Sequence, residues 1–269
     1  MENFVANYKL AQEIYASGSE EIYYFDSISA EKSKKSLMEG ILSDENYLSI
    51  LVSSAGVGKT YLIKHICTLL KEDLKVIYIA KPFYSDDELL RFLYRDMTDE
   101  PLPSLLDTTQ VLEFTKAVYL NSNHVIIVDE AQLWGSELLE RIRIISDLKI
   151  FNLVLLVHED EKFLKYKSVT TRPICVVSME LLSFVEVHRY IEHSLLQYSH
   201  SEIVPMFTRR LTQKIYHYTK GNFRLLRQMM STLMELLHFA QQEDLRKYKH
   251  LNNQLVVMAA IECGLEKSA

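Results

Sequence analysis

The sequence predicts an α/β fold in which a parallel five-stranded sheet carries helices on both faces and an all-helical subdomain follows it. Five short apolar runs alternate with helical patterns as far as residue 180, and no strand pattern follows. Unbroken apolar strands are typical of parallel sheets that are buried on both faces. Glycine is scarce, with 7 residues where about 19 are usual for this length, which favours helix.

The elements follow in chain order. Residues 1–22 are polar and only weakly periodic. The predicted strands are 48–53, 75–80, 124–129, 153–157 and 174–177. The predicted helices begin near residues 29, 59, 85, 107 and 138, and then, after the last strand, near residues 183, 207, 222 and 251. We therefore expect an α/β core with an N-terminal extension over 1–180 and a helical lid subdomain over 181–269.

Composition narrows the class of protein. The net charge of −6 argues against a nucleic-acid binder that uses its whole surface, but it leaves room for a local basic face. Three dispersed cysteines are too few for a disulfide framework or a zinc site and favour a reducing compartment. The N-terminus has no signal-peptide pattern, and the longest apolar run, Leu255–Ile261, is too short to cross a bilayer. These features predict a cytoplasmic protein.

A phosphate-binding loop is predicted at Ser53–Thr60, SSAGVGKT, between a strand and a helix. Its glycines let successive N–H groups point at phosphate oxygens beside a helix N-terminus. Lys59 is expected to contact the β- and γ-phosphates of ATP during binding and catalysis, and Thr60 to supply a hydroxyl to Mg²⁺. Ser53 stands where the usual pattern has glycine. The predicted nucleotide-contacting residues of the loop are Ser54, Ala55, Gly56, Val57, Gly58, Lys59, Thr60 and Tyr61. The alternative is a lysine in an ordinary strand–helix turn.

Two adjacent acids end a second apolar strand, in the segment VIIVDEAQ. Asp129 fits as the partner of Thr60 at Mg²⁺, and Glu130 fits as the carboxylate that polarises the attacking water. Two solvated acids at a strand end are the alternative. The pairing with a phosphate loop about 70 residues upstream favours an ATP hydrolase.

These two motifs and the later segment TKGNFRLL, residues 219–226, resemble an AAA+ ATPase, with the P-loop NTPase fold. The resemblance extends from about residue 23 to the end, and its nearest group is the ExeA family of general-secretion accessory ATPases, which includes MshM-like pilus proteins. It rests further on IAKPFYSDDELLRFL, on ELLERIRIISDLKIFNLVLLV and on PMFTRRLTQKIYHYTKGNFRLLRQMM. Similar lids occur in transposition helpers and in origin-recognition relatives.

The resemblance implies further catalytic roles. Arg224 matches the sensor 2 arginine that contacts nucleotide from the lid, or else is a surface arginine. His158 ends the fourth strand at the sensor 1 position, or else is a plain strand-end histidine, since this family has Gly-Gln where this chain has His158-Glu159. Arg172 matches the arginine finger, which acts on ATP in a neighbouring subunit and therefore implies self-association or contact with another ATPase. The alternative is a salt-bridged surface arginine. Tyr23, Tyr24 and Phe25 are candidates either for adenine stacking or for plain packing.

Three functions follow as hypotheses. The first is an accessory ATPase of a secretion (type II), pilus or DNA-uptake (competence) system that docks on the inner membrane through a partner protein. The second is a DNA-handling ATPase of the transposition-helper type, which would use basic lid residues: Arg209, Arg210, Lys214, Arg224 and Arg227. The third is a nucleotide-dependent switch with little turnover. All three use ATP and Mg²⁺.

Overall fold

The computed structural model describes residues 7–16, 24–43, 48–71, 74–80, 83, 85–98, 124–135, 138, 151–158 and 175–265. The chain forms two compact units. The sheet unit comprises residues 30–55 and 59–179, and the helical unit comprises residues 1–29, 56–58 and 180–269. The helical unit thus begins its last segment at residue 180 and also takes in the N-terminus, which the sequence analysis grouped with the core.

The sheet unit contains the five-stranded parallel sheet that the sequence predicts. Its strands are β1 (Leu48–Ser53), β2 (Lys75–Ile79), β3 (His124–Val128), β4 (Asn152–His158) and β5 (Cys175–Ser178). The order across the sheet is β2-β3-β4-β1-β5, and every pair is parallel. The carboxyl ends of β1 and β3 therefore flank the end of β4. Parallel sheets bind ligands at this edge, beyond the ends of their strands.

Helices of the sheet unit follow the predicted apolar periodicity. Those that the structure describes in full are α2 (Ile28–Ile41, whose first two residues belong to the helical unit), α3 (Lys59–Leu70) and α4 (Asp86–Thr98). In α3, Leu62, Ile63 and Ile66 are at most 1% exposed. On the sheet, Ile50, Ile126 and Leu153 join one buried apolar cluster. The helix predicted from residue 107 lies outside the described residues. Of the stripe predicted over 138–148, only Leu138 is described, and it is buried in a helix.

The helical unit contains α1 (Tyr8–Tyr15), α5 (Phe184–Gln197), α6 (Arg209–Thr219), α7 (Phe223–Gln242) and α8 (Asn253–Glu262). Helix α5 begins with a capping box, in which the Ser183 hydroxyl accepts from the Glu186 N–H and the Glu186 carboxylate accepts from the Ser183 N–H. Among the described helices, none combines the length and apolar character that a bilayer-spanning segment requires.

Helix α1 is the element that the sequence pattern missed. It is only 8 residues long, and its buried positions are Tyr8, Ala11 and Tyr15. Two of these are tyrosines, whose polar hydroxyls hide an apolar face from a hydropathy pattern. The Tyr15 hydroxyl meets that of Ser194 on α5 at 2.6 Å, and α1 packs along α7. These contacts place the N-terminal segment in the helical unit.

Candidate nucleotide-binding site

The predicted phosphate loop begins where β1 ends and closes where α3 begins, at Lys59. Gly56 and Gly58 have φ values of +79° and +116°. Residues other than glycine rarely adopt positive φ values, so the two glycines permit the loop backbone to curl. The loop also runs into a helix N-terminus, where backbone N–H groups lack helical partners and favour an anion.

Lys59 is a buried cation at the edge of the sheet, 7% exposed. Its ammonium donates to the Ser53 carbonyl oxygen at 3.1 Å and to the Ser53 hydroxyl at 3.0 Å. It also lies 3.4 Å from the Ser54 carbonyl oxygen and 3.1 Å from Nδ1 of His158. A buried charge is tolerated only when polar groups surround it. These four acceptors hold the ammonium beside the loop that follows β1.

Asp129 and Thr60 form the pair that the sequence predicts for a magnesium site. The Thr60 hydroxyl donates to Oδ2 of Asp129 at 3.1 Å, and the Glu130 N–H donates to Oδ1 at 2.9 Å. A hydroxyl and a carboxylate so placed are oxygen donors of the kind that Mg²⁺ takes in nucleotide sites. The residues therefore fit this ion, with Asp129 only 7% exposed.

Tyr78, on β2, is a site residue that the sequence analysis did not single out. Its hydroxyl donates to Oδ2 of Asp129 at 2.7 Å. Burial raises the pKa of Tyr78 well above its usual value, and the hydrogen bond and charge of Asp129 raise it further. The hydroxyl is therefore a stable donor that orients the carboxylate. The available signal was a residue with a polar tip inside the apolar run KVIYI, on the strand next to β3.

Glu130 has left-handed backbone geometry, with φ 54° and ψ 36°. This conformation is costly for a residue with a side chain, and such strain concentrates at functional sites. Its carboxylate oxygens lie 3.1 and 3.0 Å from Nε2 of His158, at the end of β4. Gln132 donates to the same carboxylate and accepts from the His158 N–H at 3.2 Å. Gln132 lies in the VDEAQ segment, but no role was assigned to it from sequence.

The structure brings together the predicted residues Lys59, Thr60, Asp129, Glu130 and His158 at adjacent strand ends. In the loop, Val57 is 2% exposed, whereas Ser54 and Tyr61 are half-buried and Ala55 is exposed. Arg172 lies outside the described residues. The roles in nucleotide binding and catalysis that the sequence suggests for all of these residues remain predictions.

In the helical unit, the side chain of Arg224 is exposed at the start of α7. Its backbone N–H donates to the Gly56 carbonyl oxygen at 2.9 Å. The side chain of Asn222 caps α7 by accepting from the Leu225 N–H. It also lies so close to Gly56 that a Cβ on residue 56 would be 2.4 Å from the Asn222 amide oxygen. Gly56 therefore serves the loop conformation and this close approach at once.

Two sequence hypotheses about the helical unit change. Phe25, a candidate for adenine stacking, is 6% exposed and packs against Tyr190 with ring centroids 5.4 Å apart, so it is a core residue. Arg227, a candidate for DNA contact, is 5% exposed and donates to the Ile14 and Ala16 carbonyl oxygens at 3.1 and 3.0 Å. It caps the C-terminal end of α1, so that role is wrong. Tyr23 lies outside the described residues.

Residues 42–162 match the family model of the AAA domain, and this stretch contains the loop, Asp129, Glu130 and His158. The chain has the AAA+ P-loop NTPase fold. No curated protein sequence matches the chain.

Solved structures with the AAA+ fold cover both units. A Drosophila ORC structure bound to DNA has 13% identity and a TM-score of 0.68 over 96% of this chain and 66% of its own. Aeropyrum pernix ORC2, with ADPNP and ADP, has 16% identity and a TM-score of 0.58 over 93% of this chain and 71% of its own. The Thermotoga maritima RuvB Holliday junction branch migration motor has 15% identity and a TM-score of 0.54 over 85% of this chain and 67% of its own. The chain thus spans about two thirds of the length of these structures.

Proposed function

We propose that this protein binds ATP with Mg²⁺ and hydrolyses it. The observation that carries the proposal is the meeting of three functions at adjacent strand ends of one sheet. Lys59 supplies a buried cation, Thr60 and Asp129 share a hydrogen bond of 3.1 Å, and Glu130 presents a carboxylate that is 38% exposed. A hydrolase of phosphoanhydrides needs a charge at the phosphates, a metal ligand set and a base for water.

Each residue has one task in the proposed reaction. Lys59 exchanges its contacts with Ser53 and His158 for phosphate oxygens, and the loop N–H groups bind the same phosphates. Thr60 and Asp129 would hold Mg²⁺, which would supply positive charge beside the phosphate oxygens. Glu130 orients the attacking water and accepts its proton. The phosphoanhydride bond breaks as the water oxygen bonds to the γ-phosphorus, and ADP leaves.

The first experiment measures binding of a fluorescent ATP analogue and release of phosphate by the purified chain. Lys59→Ala should abolish detectable binding, whereas Lys64→Ala, an exposed lysine on the same helix, should leave it unchanged. Glu130→Gln should keep nucleotide affinity within about twofold and reduce turnover by about 10²–10⁴-fold. Equal phosphate release by wild type and Glu130→Gln would contradict the hydrolase. Binding without turnover under any condition would favour the nucleotide switch.

A DNA-responsive role is the second candidate, and one surface favours it. The segment 209–220, formed by α6 and the residue after it, contains two arginines, two lysines and a histidine but no acidic residue. Arg209, Arg210 and Lys220 are exposed. Such a local basic face binds phosphate backbones even in a chain of net charge −6. The similar structures of ORC bound to DNA and of a branch migration motor give this candidate a fold-level precedent.

The charge-reversal variant Arg209→Glu, Arg210→Glu tests this basic face. Duplex DNA should stimulate phosphate release by the wild-type chain, and the stimulation should weaken steeply with salt. The double variant should lose the stimulation and keep its basal rate. Lack of DNA binding by the wild type at low salt would remove this candidate.

The resemblance to ExeA- and MshM-like proteins supports a partner of another kind, an inner-membrane component of secretion, pilus or DNA-uptake machinery. Recovery of the tagged chain with such a component after cell fractionation would support it, and a wholly unattached pool would contradict it. The arginine-finger assignment is tested by mixing Arg172→Ala with Glu130→Gln. If Arg172 acts across a subunit interface, the mixture should regain turnover that neither variant has alone.

A further inference from the structure

His158 lies between the two residues that carry opposite tasks in the proposed reaction. Its Nδ1 is 3.1 Å from the Lys59 ammonium, and its Nε2 is 3.0–3.1 Å from the Glu130 carboxylate oxygens. The ring is 29% exposed, so it is neither a core residue nor a free surface group. One imidazole therefore joins the predicted phosphate cation to the predicted base.

The charges on either side fix the tautomer of this ring. An ammonium can only donate hydrogen bonds and a carboxylate can only accept them. Nδ1 must therefore carry the lone pair that faces Lys59, and Nε2 must carry the proton that faces Glu130. In this tautomer, the Lys59 ammonium polarises the ring at Nδ1, and the polarised ring donates its Nε2–H to the Glu130 carboxylate.

Ser53 strengthens the same resting arrangement. It pairs with His158 in the register between β1 and β4, and its hydroxyl is a second side-chain acceptor for Lys59, at 3.0 Å. A glycine at this position would have no hydroxyl. Of the acceptors around Lys59, the Ser53 hydroxyl and the His158 ring can turn away, whereas the Ser53 and Ser54 carbonyl oxygens are fixed by the backbone.

We propose that His158 is a positioning residue that couples phosphate binding at Lys59 to the release of the Glu130 carboxylate. This proposal rests on the proposed ATPase function. An ammonium has three protons, so phosphate oxygens must displace acceptors that Lys59 already has. When the contact with Nδ1 is lost, no other described residue fixes the ring on that side, and its hold on Glu130 weakens. Gln132 keeps the carboxylate in place while it becomes able to accept from water.

Two substitutions separate the two contacts of the ring. Asparagine places an amide oxygen near the position of Nδ1, and so His158→Asn keeps an acceptor for Lys59 and loses the donor to Glu130. Glutamine places an amide N–H near the position of Nε2, and so His158→Gln keeps the donor to Glu130 and loses the acceptor. His250→Gln, at an exposed histidine of the helical unit, is the matched control.

Nucleotide affinity is the first readout, measured as Kd for ADP and for a non-hydrolysable ATP analogue. Because Lys59 loses a competing acceptor, His158→Gln should tighten both affinities by about three- to tenfold. His158→Asn should leave both within about twofold of wild type. In turnover, His158→Gln should lower KM and kcat together, because its amide N–H still holds Glu130, whereas His158→Asn should keep kcat at or above the wild-type value. A residue that only supports the fold would not produce this split.

The second readout needs no nucleotide. In ¹⁵N-histidine-labelled protein, the signal that disappears in His158→Gln should have an unprotonated Nδ1 and a protonated Nε2. A proton on Nδ1 would overturn the proposal, because Lys59 could not then donate to the ring. Weaker or unchanged affinities in His158→Gln would overturn it too, and weakening for the ATP analogue alone would mean that the ring contacts the γ-phosphate directly. Failure of the proposed function is distinguishable, since the wild type would then bind no nucleotide at all.

Discussion

Lys59 and Arg227 are both buried cations, 7% and 5% exposed, but their partners differ in kind. Two of the acceptors around Lys59 are side chains, the Ser53 hydroxyl and the His158 ring, and both can rotate. Arg227 donates to two backbone carbonyl oxygens at the end of α1. When the side-chain acceptors of a buried cation can rotate away, the cation is able to bind a ligand instead. A cation that donates to backbone carbonyl groups of another helix joins the two helices. Burial of a charge therefore does not identify function; the mobility of its partners does.

The most direct test of this comparison is the pair Lys59→Met and Arg227→Met. Arg227→Met should lower the free energy of unfolding by about 3–5 kcal/mol, because two charge-assisted hydrogen bonds are lost and their carbonyl groups stay partly buried. Lys59→Met should change it by less than about 1 kcal/mol, because replacing a buried charge by an apolar chain is often neutral. Urea unfolding measures both. Equal losses of stability would break the comparison.

The second test uses glycines of the helical unit. Gly221 has φ +77°, and a Cβ there would lie 1.9 Å from the Leu182 carbonyl oxygen. Gly264 has φ +66° with open space around it. Gly221→Ala should therefore lower the free energy of unfolding by about 2–4 kcal/mol, because the backbone is strained and the Leu182 backbone must move. Gly264→Ala should lower it by about 1 kcal/mol, from backbone strain alone. Thermal unfolding of the two variants distinguishes them, and equal melting temperatures would exclude the steric contribution.

Acid sensitivity of the helical unit gives a third test, through Glu186. Burial opposes ionisation of this carboxyl, but hydrogen bonds from Ser183 and Ile28 and the charge of Arg189 outweigh it and lower its pKa. A lowered folded pKa means that the stabilisation is complete above the ordinary glutamate value of about 4.3 and is lost as pH falls through the folded pKa.

Glu186→Gln should accordingly reduce stability by about 1 kcal/mol at pH 7 and by less at lower pH. The exposed Glu235→Gln is the control on α7. Urea unfolding between pH 3 and 7 measures the difference. A Glu186→Gln deficit that stayed constant with pH would contradict the assignment of the lowered pKa to this capping box.

The smallest expected effect on stability belongs to Tyr78. Tyr78→Phe removes the hydroxyl that donates to Asp129 at 2.7 Å. Loss of a group that orients the proposed metal ligand Asp129 should raise the Mg²⁺ concentration needed for half-maximal nucleotide binding by about three- to tenfold. Stability should barely change. Tyr218→Phe, on α6, should alter neither quantity, and a Tyr78→Phe protein with wild-type magnesium dependence would show that Asp129 is held by Thr60 and its own backbone.

Much of the sheet unit could be predicted because its signals are local. Apolar runs placed the described strands within about two residues, and the glycine loop and the acids marked two strand ends. The identities of Lys59, Thr60, Asp129 and Glu130 as site candidates also followed from spacing alone. Tyr78 and Gln132 did not, because their importance depends on which strand lies beside β3 and how far a side chain reaches.

The helical unit was harder to predict. Arg227 looks from sequence like a surface cation on a basic helix, and only the packing of α1 on α7 buries it. Gly221 lies between α6 and α7, and the close approach of Leu182, about forty positions away in the chain, is the reason that no side chain fits there.

The sequence by itself determined the class of fold and marked the predicted phosphate loop and the acidic pair, because periodicity and motif spacing are properties of neighbouring residues. The tertiary structure decided which of these residues act on each other. The order β3-β4-β1 places His158 between Lys59 and Glu130, and the packing of α1 turns Arg227 from a candidate contact into a helix cap. Both follow from contacts between residues remote in sequence, which no local pattern encodes.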